Sequence, residues 1–147
     1  MDSITIKDIA PERTWALRHQ VLRPNQTLAD CSYPTDNDPG AFHLGAFQND
    51  ELVGIASFYR EKHPDLNYQT QYRLRGMAVD PELQTQGIGR QLIAAGEQQL
   101  RDQAVIAWWC NARTSAAGYY AKIGLQQLGP EFDLPPIGMH KVMYRAL

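Results

Sequence analysis

The sequence predicts an α/β fold of 147 residues, with a central, mostly antiparallel sheet of about seven strands flanked by helices. Three observations predict this class. Short apolar or alternating segments typical of strands recur along the chain. Three segments with helical periodicity interrupt them, and turn-forming residues separate most of these segments. The composition, 44% hydrophobic and 20% charged, is that of an ordinary globular protein, and we expect a single domain over residues 1–147.

The N-terminal half predicts a strand, a helix, a long loop and a hairpin. Isoleucines alternate with polar residues at the start, and a proline then stands in the first turn of a helical pattern. The long loop is rich in Pro, Asn and Asp, and loops of this length are often functional. In order, these elements are Ile4–Ile6, the helix after Pro11, the loop Arg23–Gly40, and the hairpin strands Phe42–Phe47 and Leu52–Tyr59.

The C-terminal half predicts four more strands and two helices. The longer helix follows a glycine turn and has a clear apolar face, and the shorter one ends at Gly124, as helices often do. The strands are Tyr72–Val79, Val105–Cys110, Leu125–Leu128 and Met139–Tyr144, and the helices begin at Gly89 and Ser115. A polar connection, Glu61–Gln69, precedes this half, and the proline-rich segment Gly129–Gly138 separates the last two strands.

Charge and composition exclude several classes of function. A net charge of −2 and a pI near 6.0 disfavour a nucleic-acid binder that relies on a basic face. The sequence has neither a signal-peptide pattern nor an apolar run long enough to span a bilayer. Cys31 and Cys110 have no CxxC or metal-binding spacing, so we expect reduced thiols, no metal site and a cytoplasmic location.

The segment Val79–Arg90 is the most informative in the chain. An apolar run stops at Asp80-Pro81, and six residues later Gly87 and Gly89 precede an amphipathic helical pattern. A strand followed by such a turn and a helix N-terminus presents unpaired N–H groups and the positive end of the helix dipole to one point. Glycines also let a ligand approach the backbone closely. The segment therefore predicts a phosphate or pyrophosphate site.

The spacing of these glycines excludes two common phosphate sites. A dinucleotide fold would need G-x-G-x-x-G, but Leu92 stands where the third glycine would be. No G-x-x-x-x-G-K-[ST] loop of the ATP-binding type is present either. Two glycines alone could also form a simple tight turn, so the identity of the ligand depends on the rest of the sequence.

Two motifs resemble those of the GNAT superfamily, the acetyl-CoA-dependent N-acyltransferases. Gln84–Gly89 matches its Q/R-x-x-G-x-G/A signature, and the preceding Leu74–Pro81 resembles its fourth strand. Farther on, Ala116–Leu125 resembles its A-x-x-F-Y-x-K-x-G-F motif. The blocks stand in the family's order, with the expected elements between them. The resemblance implies a GNAT fold, in which the sheet splays to admit the donor.

The resemblance also implies which residues bind acetyl-CoA, the acyl donor. The turn would hold the pyrophosphate through the backbone of Gln86, Gly87, Ile88, Gly89 and Arg90, with support from Gln84 and Thr85. Arg90 would add a charge-assisted contact. The strand segment Met77, Ala78 and Val79 would pair with the pantetheine arm, and Asn111, at the end of the next strand, would meet the same arm. Asn111 could instead cap a helix or turn.

Tyr120 aligns with the tyrosine that the family uses as general acid. Attack of an amine on a thioester expels a thiolate, and a phenol near the sulfur can protonate it or donate a hydrogen bond to it. A core aromatic is the alternative interpretation of Tyr120, although the adjacent Tyr119 is the better candidate for the core.

The resemblance to the family does not identify a general base in this sequence. Some members have a Glu on the fourth strand, but Arg73 occupies that position here and cannot accept a proton. His140 is the better candidate, because it begins the last strand near the expected acceptor side and imidazole changes charge near neutral pH. A structural histidine is the alternative, and water could then remove the proton.

Few features of the sequence indicate which residues form the acceptor site. Strand alternation would place Arg73, Arg75, Met77 and Val79 on one side, where the two arginines could bind an acidic group of the acceptor or be solvated. Tyr33 lies in the long loop, which helps to form the acceptor pocket in this family. The loop aspartates are most simply solvated and form Asx turns, and His43 is most simply a core residue. The aspartates are Asp30, Asp36 and Asp38.

Taken together, these features predict an N-acetyltransferase that moves an acetyl group from acetyl-CoA to a primary amine by direct attack in a ternary complex. Neither cysteine lies in a nucleophile motif, which argues against an acyl-enzyme. A small-molecule acceptor is favoured. The alternatives are a protein or peptide amine as acceptor, or a non-catalytic acyl-CoA-binding module on the same fold. A homodimer is possible, because dimers are common in the family.

Overall fold

The structure, a computed structural model, describes residues 3–147. Its seven strands form one sheet in the order β1-β2-β3-β4-β5-β7-β6. The neighbours β4 and β5 are parallel, whereas β1–β2, β2–β3, β5–β7 and β6–β7 are antiparallel. This confirms the predicted fold class. The strands are β1 (Ile4–Asp8), β2 (Phe42–Gln48), β3 (Glu51–Arg60), β4 (Gln71–Val79), β5 (Ala107–Arg113), β6 (Gln126–Leu134) and β7 (Gly138–Ala146).

The helical segments occur where the periodicity predicts them. The first is irregular: a 3-10 turn, Pro11–Thr14, leads into α1 (Trp15–Leu17), and a π-helical turn, Arg18–Leu22, follows. The longest helix is α2 (Ile88–Asp102), and α3 (Ala117–Lys122) follows a 3-10 turn. Within residues 3–147, no helix has both the length and the apolar character needed to cross a bilayer.

The chain divides into two compact units. The first comprises the residues up to Arg60 together with Leu74–Gln99, and the second comprises Glu61–Arg73 and Leu100–Leu147. The division falls within β4, after Arg73. The pairing of β4 with β5 comprises Gln71–Arg73 and Ala107–Trp109, although β4 continues to Val79.

In the first unit, helices pack on both sides of β3. A Cβ added to Gly54 would lie 3.0 Å from Ile88 of α2. On the other side, Ile55 packs with Leu17 of α1 and with Ala78. Period-two alternation along β3 therefore presents successive residues to different helices, which explains why both sides of this strand are apolar.

A glycine allows α2 to approach β3 closely. A Cβ at Gly96 would lie 2.2 Å from the Phe58 ring, closer than atoms can approach without displacing one of the elements. The ring of Phe58 also stacks on Phe42 of the neighbouring strand, with 4.9 Å between centroids. The position of α2, and so of the glycine turn that begins it, depends on this contact.

In the second unit, the connection Glu61–Gln69 covers one face of the sheet. Gln71 fixes it, because its side-chain amide donates to the carbonyl oxygens of Leu66 and Tyr68 and accepts from the His63 N–H. Leu66 packs with Trp109 and Val142 in the core of this unit.

Two predicted strand boundaries are wrong. The buried strand runs from Ala107 to Arg113 rather than from Val105 to Cys110, because Val105 is still part of the turn that ends α2. Its N–H donates to the carbonyl oxygen of Leu100 at 2.9 Å, and Ala104 has a positive φ of 60°. Asn111 is consequently inside the strand, paired with Val142, rather than at its end.

Strand β6 also continues through residues predicted to break it. It runs to Leu134 across Gly129 and Pro130, with a register irregularity between Leu128 and Phe132. Because β6 is at the edge of the sheet, a proline there costs no ladder hydrogen bond, and the glycine adopts the positive φ of 72° that the irregularity requires.

Candidate active site

The glycine turn in the first unit has the geometry of an anion site. Helix α2 begins at Ile88, directly after Gly87, whose φ is +78°. Helix geometry leaves the N–H groups of Ile88, Gly89 and Arg90 without partners inside the helix. The first turn contains no acidic residue, and residues 84–87 and Arg90 are exposed. These features together suit a phosphate group.

Side-chain hydrogen bonds hold the turn in shape. The Gln84 amide donates to the carbonyl oxygen of Val79 at 3.1 Å, and so connects the turn to the end of β4. The Asp80 carboxylate accepts from the N–H of Glu82 at 3.0 Å, and the Asp80 N–H donates to the carbonyl oxygen of Val53 at 2.8 Å. The Gln84 side chain therefore shapes the turn, and the N–H groups of the helix terminus are the principal donors for an anion.

A backbone irregularity at Gly76 changes which residues of β4 share a face. The Arg75 guanidinium lies over the Tyr33 ring, and a Cβ on Gly76 would also point at that ring, 3.3 Å from it. Two successive residues therefore face the same side, and Gly76 has a positive φ of 68°. The predicted alternation is consequently wrong, because Met77 and Val79 face the opposite side from Arg75.

In the second unit, Tyr120 is buried next to a buried thiol. Its side chain is 9% exposed on α3. Burial raises the pKa of the phenol well above its usual value, and Cys110 and Tyr119 add to that rise. Burial likewise raises the pKa of Cys110 to about 12. At neutral pH both groups keep their protons, so Tyr120 can donate one and Cys110 is no nucleophile.

The contacts of His140 fix its tautomer. Its Nδ1 lies 2.7 Å from the carbonyl oxygen of Gly138, and a carbonyl can only accept, so Nδ1 carries the hydrogen. In the neutral imidazole, Nε2 is then left with its lone pair. Gly138 has a φ of +120°, a conformation that side chains rarely adopt, so this contact depends on the glycine. The arrangement suits proton abstraction.

Asn111 and His140 share one face of the sheet in the second unit, and Tyr120 lies on the other. Asn111 pairs with Val142, and His140 is two residues away on the same strand, so the two side chains point to the same side. That side also holds Trp109. Cys110, which affects the pKa of Tyr120, faces the opposite way.

Arg73 lies on the Trp109 face of the second unit. Its guanidinium lies 5.1 Å from the Trp109 ring and 3.4 Å from a carboxylate oxygen of Glu61. The Trp109 Nε1–H donates to the Glu61 carbonyl oxygen at 2.9 Å, and the His63 ring meets Trp109 edge-on. The described contacts of Arg73 are therefore with Trp109 and Glu61, whereas those of Arg75 are with Tyr33.

Asp36 of the long loop forms a buried ion pair with Arg18 of the π-helical turn, which the sequence does not predict. Asp36 is 4% exposed and accepts two hydrogen bonds, at 2.8 and 3.0 Å, from the fully buried Arg18. The same guanidinium donates to the Cys31 carbonyl oxygen, Ser57 Oγ and Tyr59 Oη. Burial alone would raise the pKa of Asp36, but the hydrogen bonds from Arg18 and Tyr59 outweigh it and lower that pKa. The prediction of a solvated Asp36 is wrong.

Two further polar residues of this region, His43 and Asp30, have structural partners. His43 is buried, as predicted, with Nε2 2.9 Å from the Asp36 carbonyl oxygen and Nδ1 2.7 Å from Ser57 Oγ. Asp30 is exposed and forms a capping box with Thr27. Asp38 is exposed as well. Of the three loop aspartates, only Asp36 belongs to the buried network.

A pattern in the sequence could have identified Arg18. It is four residues after Thr14 and three before Val21, a spacing that places all three on one side of a helix. Thr14 is fully buried, and Val21 packs against the core of the first unit. A charged residue at such a position needs a buried partner, but the sequence does not indicate which of three loop aspartates supplies it.

Comparison with known proteins identifies the family. The family model described as an acetyltransferase (GNAT) domain matches residues 8–140. The chain belongs to the GNAT acetyltransferase family. It is also 44% identical over 144 residues to YitI, an uncharacterised N-acetyltransferase of Bacillus subtilis, a match that covers 98% of this chain and 97% of YitI. A GNAT chain of this kind is an acyltransferase, which disfavours the non-catalytic alternative.

Solved structures have the same GNAT fold. FeeM, an N-acyl amino acid synthase from uncultured soil microbes, superposes with a TM-score of 0.78 at 12% identity, over 100% of this chain and 91% of FeeM. Ard1 from Thermoplasma volcanium superposes with a TM-score of 0.77 at 18% identity, over 98% of this chain and 97% of Ard1. At these identities the similarity establishes the fold and leaves the acceptor open.

Proposed function

We propose that this GNAT chain transfers an acetyl group from acetyl-CoA to a primary amine of a small-molecule acceptor. The observation that carries the proposal is the exposed turn before α2, where a positive-φ glycine precedes three N–H groups without helical partners. That turn coincides with the Q/R-x-x-G-x-G/A motif of the family at Gln84–Gly89.

The residues of the turn fit the pyrophosphate of acetyl-CoA. Backbone N–H groups from Gln86 to Arg90 would bind it, and the exposed Arg90 would add charge. Gln84 and Thr85 would support the turn. Met77, Ala78 and Val79 would hold the pantetheine arm through their backbone, and Asn111, half-buried within β5, is a further candidate for that arm. Acetyl-CoA would supply the activated acetyl thioester.

In the second unit, one side chain would accept a proton during the reaction and another would donate one. A bond forms between the amine nitrogen and the acetyl carbon, and the bond from that carbon to sulfur breaks. We assign to His140 Nε2 the proton that leaves the amine, and to Tyr120 the proton that reaches the departing sulfur. The raised pKa of Tyr120 and the fixed tautomer of His140 support these assignments.

The loop of the first unit supports a small acceptor. In this family the region between the first helix and the second strand helps to form the acceptor pocket. Here the buried pair of Arg18 and Asp36 fixes that loop. A preformed wall suits a small ligand, which binds without ordering the loop. We include Tyr33, Arg73 and Arg75 as candidate acceptor contacts.

Release of free thiol tests this function. The protein is incubated with acetyl-CoA and a panel containing small primary amines, polyamines and a lysine-containing peptide. We expect thiol release that depends on a small amine, together with the acetylated amine by mass spectrometry. If thiol is released only with the peptide, the acceptor is a peptide or protein amine rather than a small molecule. Binding of acetyl-CoA without transfer to any member would refute the proposed reaction.

A further inference from the structure

Gly138 leaves open space on the face of the sheet that holds His140. Gly138 pairs with Leu134 of β6 and stands two residues before His140 on β7, so these three positions share one face. Apart from its chain neighbours, no atom of residues 3–147 would lie within 4 Å of a Cβ added at Gly138. The space therefore lies beside the imidazole, about 7 Å from the Cα of His140 along the strand.

Two apolar side chains border this space. Phe132 pairs with His140 on the same face, and the centroids of their rings lie 6.1 Å apart. The Phe132 ring is half-buried and packs against the core of the second unit, which fixes its position. Leu134, two residues farther along the strand, is 36% exposed. Because β6 is the edge strand of the described sheet, the outer side of both residues faces no further strand.

The charged residues of these strands do not suit a polyamine. The acidic residues of β5, β6 and β7 are Glu131 and Asp133. Asp133 pairs with Met139, and Glu131 forms an ion pair with Lys141. Met139 and Lys141 flank His140 in the sequence, so strand alternation places these charges on the opposite face. The three strands therefore offer no carboxylate beside His140 that could bind a second ammonium group.

We propose that this space binds an apolar group of the acceptor, with Leu134 and Phe132 as the residues that determine specificity. The acceptor would be a primary amine on a hydrocarbon chain or ring rather than a polyamine. This inference rests on the proposed function, in which Nε2 of His140 accepts the proton that leaves the amine. With the nitrogen at Nε2, a chain of a few carbons reaches the space beside Gly138. Burial of its surface against Leu134 and Phe132 then stabilises the complex.

The two apolar side chains can also serve only the packing of the edge strand. Under that interpretation, a substitution of either would lower stability and leave the ranking of acceptors unchanged. The subsite predicts a different result. The value of kcat/KM depends on the apolar surface of the acceptor, and this dependence is lost when the wall of the subsite becomes polar.

The experiment measures kcat/KM for ethylamine, propylamine and butylamine with the unaltered protein. These amines have nearly equal basicity, so differences in ionisation cannot produce a preference among them. Each added methylene should raise kcat/KM by about fourfold. Propanolamine, in which a hydroxyl replaces the terminal methyl group of butylamine, should have a kcat/KM lower than that of butylamine by about 10-fold or more. Equal values across the series, with thiol released, would overturn the subsite and leave the proposed function intact.

Leu134→Ser tests the exposed wall of the subsite. It should reduce the rise per methylene to less than about twofold and change kcat/KM for ethylamine by less than about twofold. Met139→Ser is the matched control, because Met139 is 44% exposed on the opposite face of the neighbouring strand. It should keep the full rise. An unchanged rise in Leu134→Ser, or an equal loss in Met139→Ser, would overturn the proposal.

Phe132→Thr tests the half-buried wall. It should reduce the rise per methylene, whereas Phe132→Leu should retain it because its side chain stays apolar. Tyr68→Thr is the control for a loss of stability, since Tyr68 packs against the same core but its ring contacts Tyr144, with 6.4 Å between centroids. It should keep the rise. An equal loss in Tyr68→Thr would show that stability determines the rise, and would overturn the role of Phe132.

Calorimetric titration separates the two levels of inference. Butylamine and propanolamine are titrated into the protein in the presence of CoA. If no amine releases thiol, the proposed function fails, and binding alone decides the subsite. Tighter binding of butylamine that Leu134→Ser abolishes would support it, whereas equal binding of both amines would refute it.

Discussion

The Nδ1 atom of His140 lies 2.7 Å from the carbonyl oxygen of Gly138, two residues earlier on the same strand. This contact commits the hydrogen of the neutral imidazole to Nδ1 and leaves Nε2 able to accept a proton. A backbone carbonyl is a permanent acceptor, so the tautomer is set by the fold and does not depend on a second titratable group.

His140→Gln should slow the transfer of the acetyl group. A glutamine side chain cannot accept the proton that leaves the amine, so kcat/KM at neutral pH should fall by about 100-fold, with Kd for CoA nearly unchanged. His63→Gln, a change at a half-buried histidine of the same unit, should leave kcat/KM nearly unchanged. Equal kcat/KM values for His140→Gln and the unaltered protein would exclude His140 as the base.

Tyr120→Phe should lower kcat and leave the fold intact. The ring of Tyr120 is buried and stays in place, so only the hydroxyl is lost. Without its proton the departing thiolate is less stabilised, and kcat should fall by about 100-fold, with KM for acetyl-CoA nearly unchanged. Because the pKa of the phenol is raised well above its usual value, kcat of the unaltered protein should show no loss from Tyr120 ionisation up to pH 9.

The neighbouring tyrosine supplies the control for this variant. Tyr119→Phe removes one hydroxyl from the same helix, next to a ring 5.4 Å away, and should change kcat far less than Tyr120→Phe does. Equal kcat values for Tyr120→Phe and the unaltered protein would remove Tyr120 from the mechanism.

Gly87→Ala should weaken the binding of CoA. No atom lies within 4 Å of a Cβ at Gly87, so the substitution causes no clash. Its cost is conformational: a φ of +78° is disfavoured for alanine by about 1–2 kcal/mol, and the turn should relax away from the geometry that directs its N–H groups to one point. We expect Kd for CoA, by calorimetry, to rise about 10-fold.

A second glycine provides the matched control. Gly118 lies in α3 and also has open space at its Cβ position, so Gly118→Ala should leave Kd unchanged and stabilise the helix by up to about 1 kcal/mol. An unchanged Kd in Gly87→Ala would show that the turn does not need its left-handed conformation to bind CoA.

The sequence predicts the sheet, its helices and the glycine turn because these depend on local patterns. Periodicity identifies the strands and helices from neighbouring residues, and the motif Gln84–Gly89 lies within a single turn. The errors occur where the backbone leaves that periodicity. At Gly76 the alternation of side chains between the two faces of β4 is interrupted. In β6 a register irregularity lets the strand continue beyond Pro130. Neither change alters the hydrophobic pattern, so the sequence alone does not reveal it.

The buried polar network illustrates the other limit of sequence analysis. Arg18 and Asp36 are separated by a loop with three aspartates and no periodic pattern. Their pairing depends on how that loop folds back over β3, where Ser57 and Tyr59 supply further partners. A local pattern can mark Arg18 as buried, but it carries no information about a partner at this separation.

Asp36→Asn should lower the free energy of unfolding more than a substitution that removes a surface ion pair. The amide cannot accept both hydrogen bonds from Arg18 as the carboxylate does, and the guanidinium charge stays buried without its counter-ion. Breaking a buried pair in this way costs about 3–5 kcal/mol. Glu131→Gln is the control, because Glu131 is half exposed and 3.6 Å from Lys141, and its loss should cost less than about 1 kcal/mol. Urea unfolding at pH 7 measures both free energies.

The same pair should make stability depend on acid pH. The pKa of Asp36 is lowered in the folded protein, whereas an unfolded Asp titrates near pH 3.9. The folded state therefore binds fewer protons, and the stabilisation is complete above the unfolded pKa and is lost as the pH falls through the folded one. In urea unfolding repeated at decreasing pH below about 4, the difference between the unaltered protein and Asp36→Asn should narrow. A difference that stays constant down to pH 2 would show that ionisation of Asp36 does not contribute to the stability of the fold.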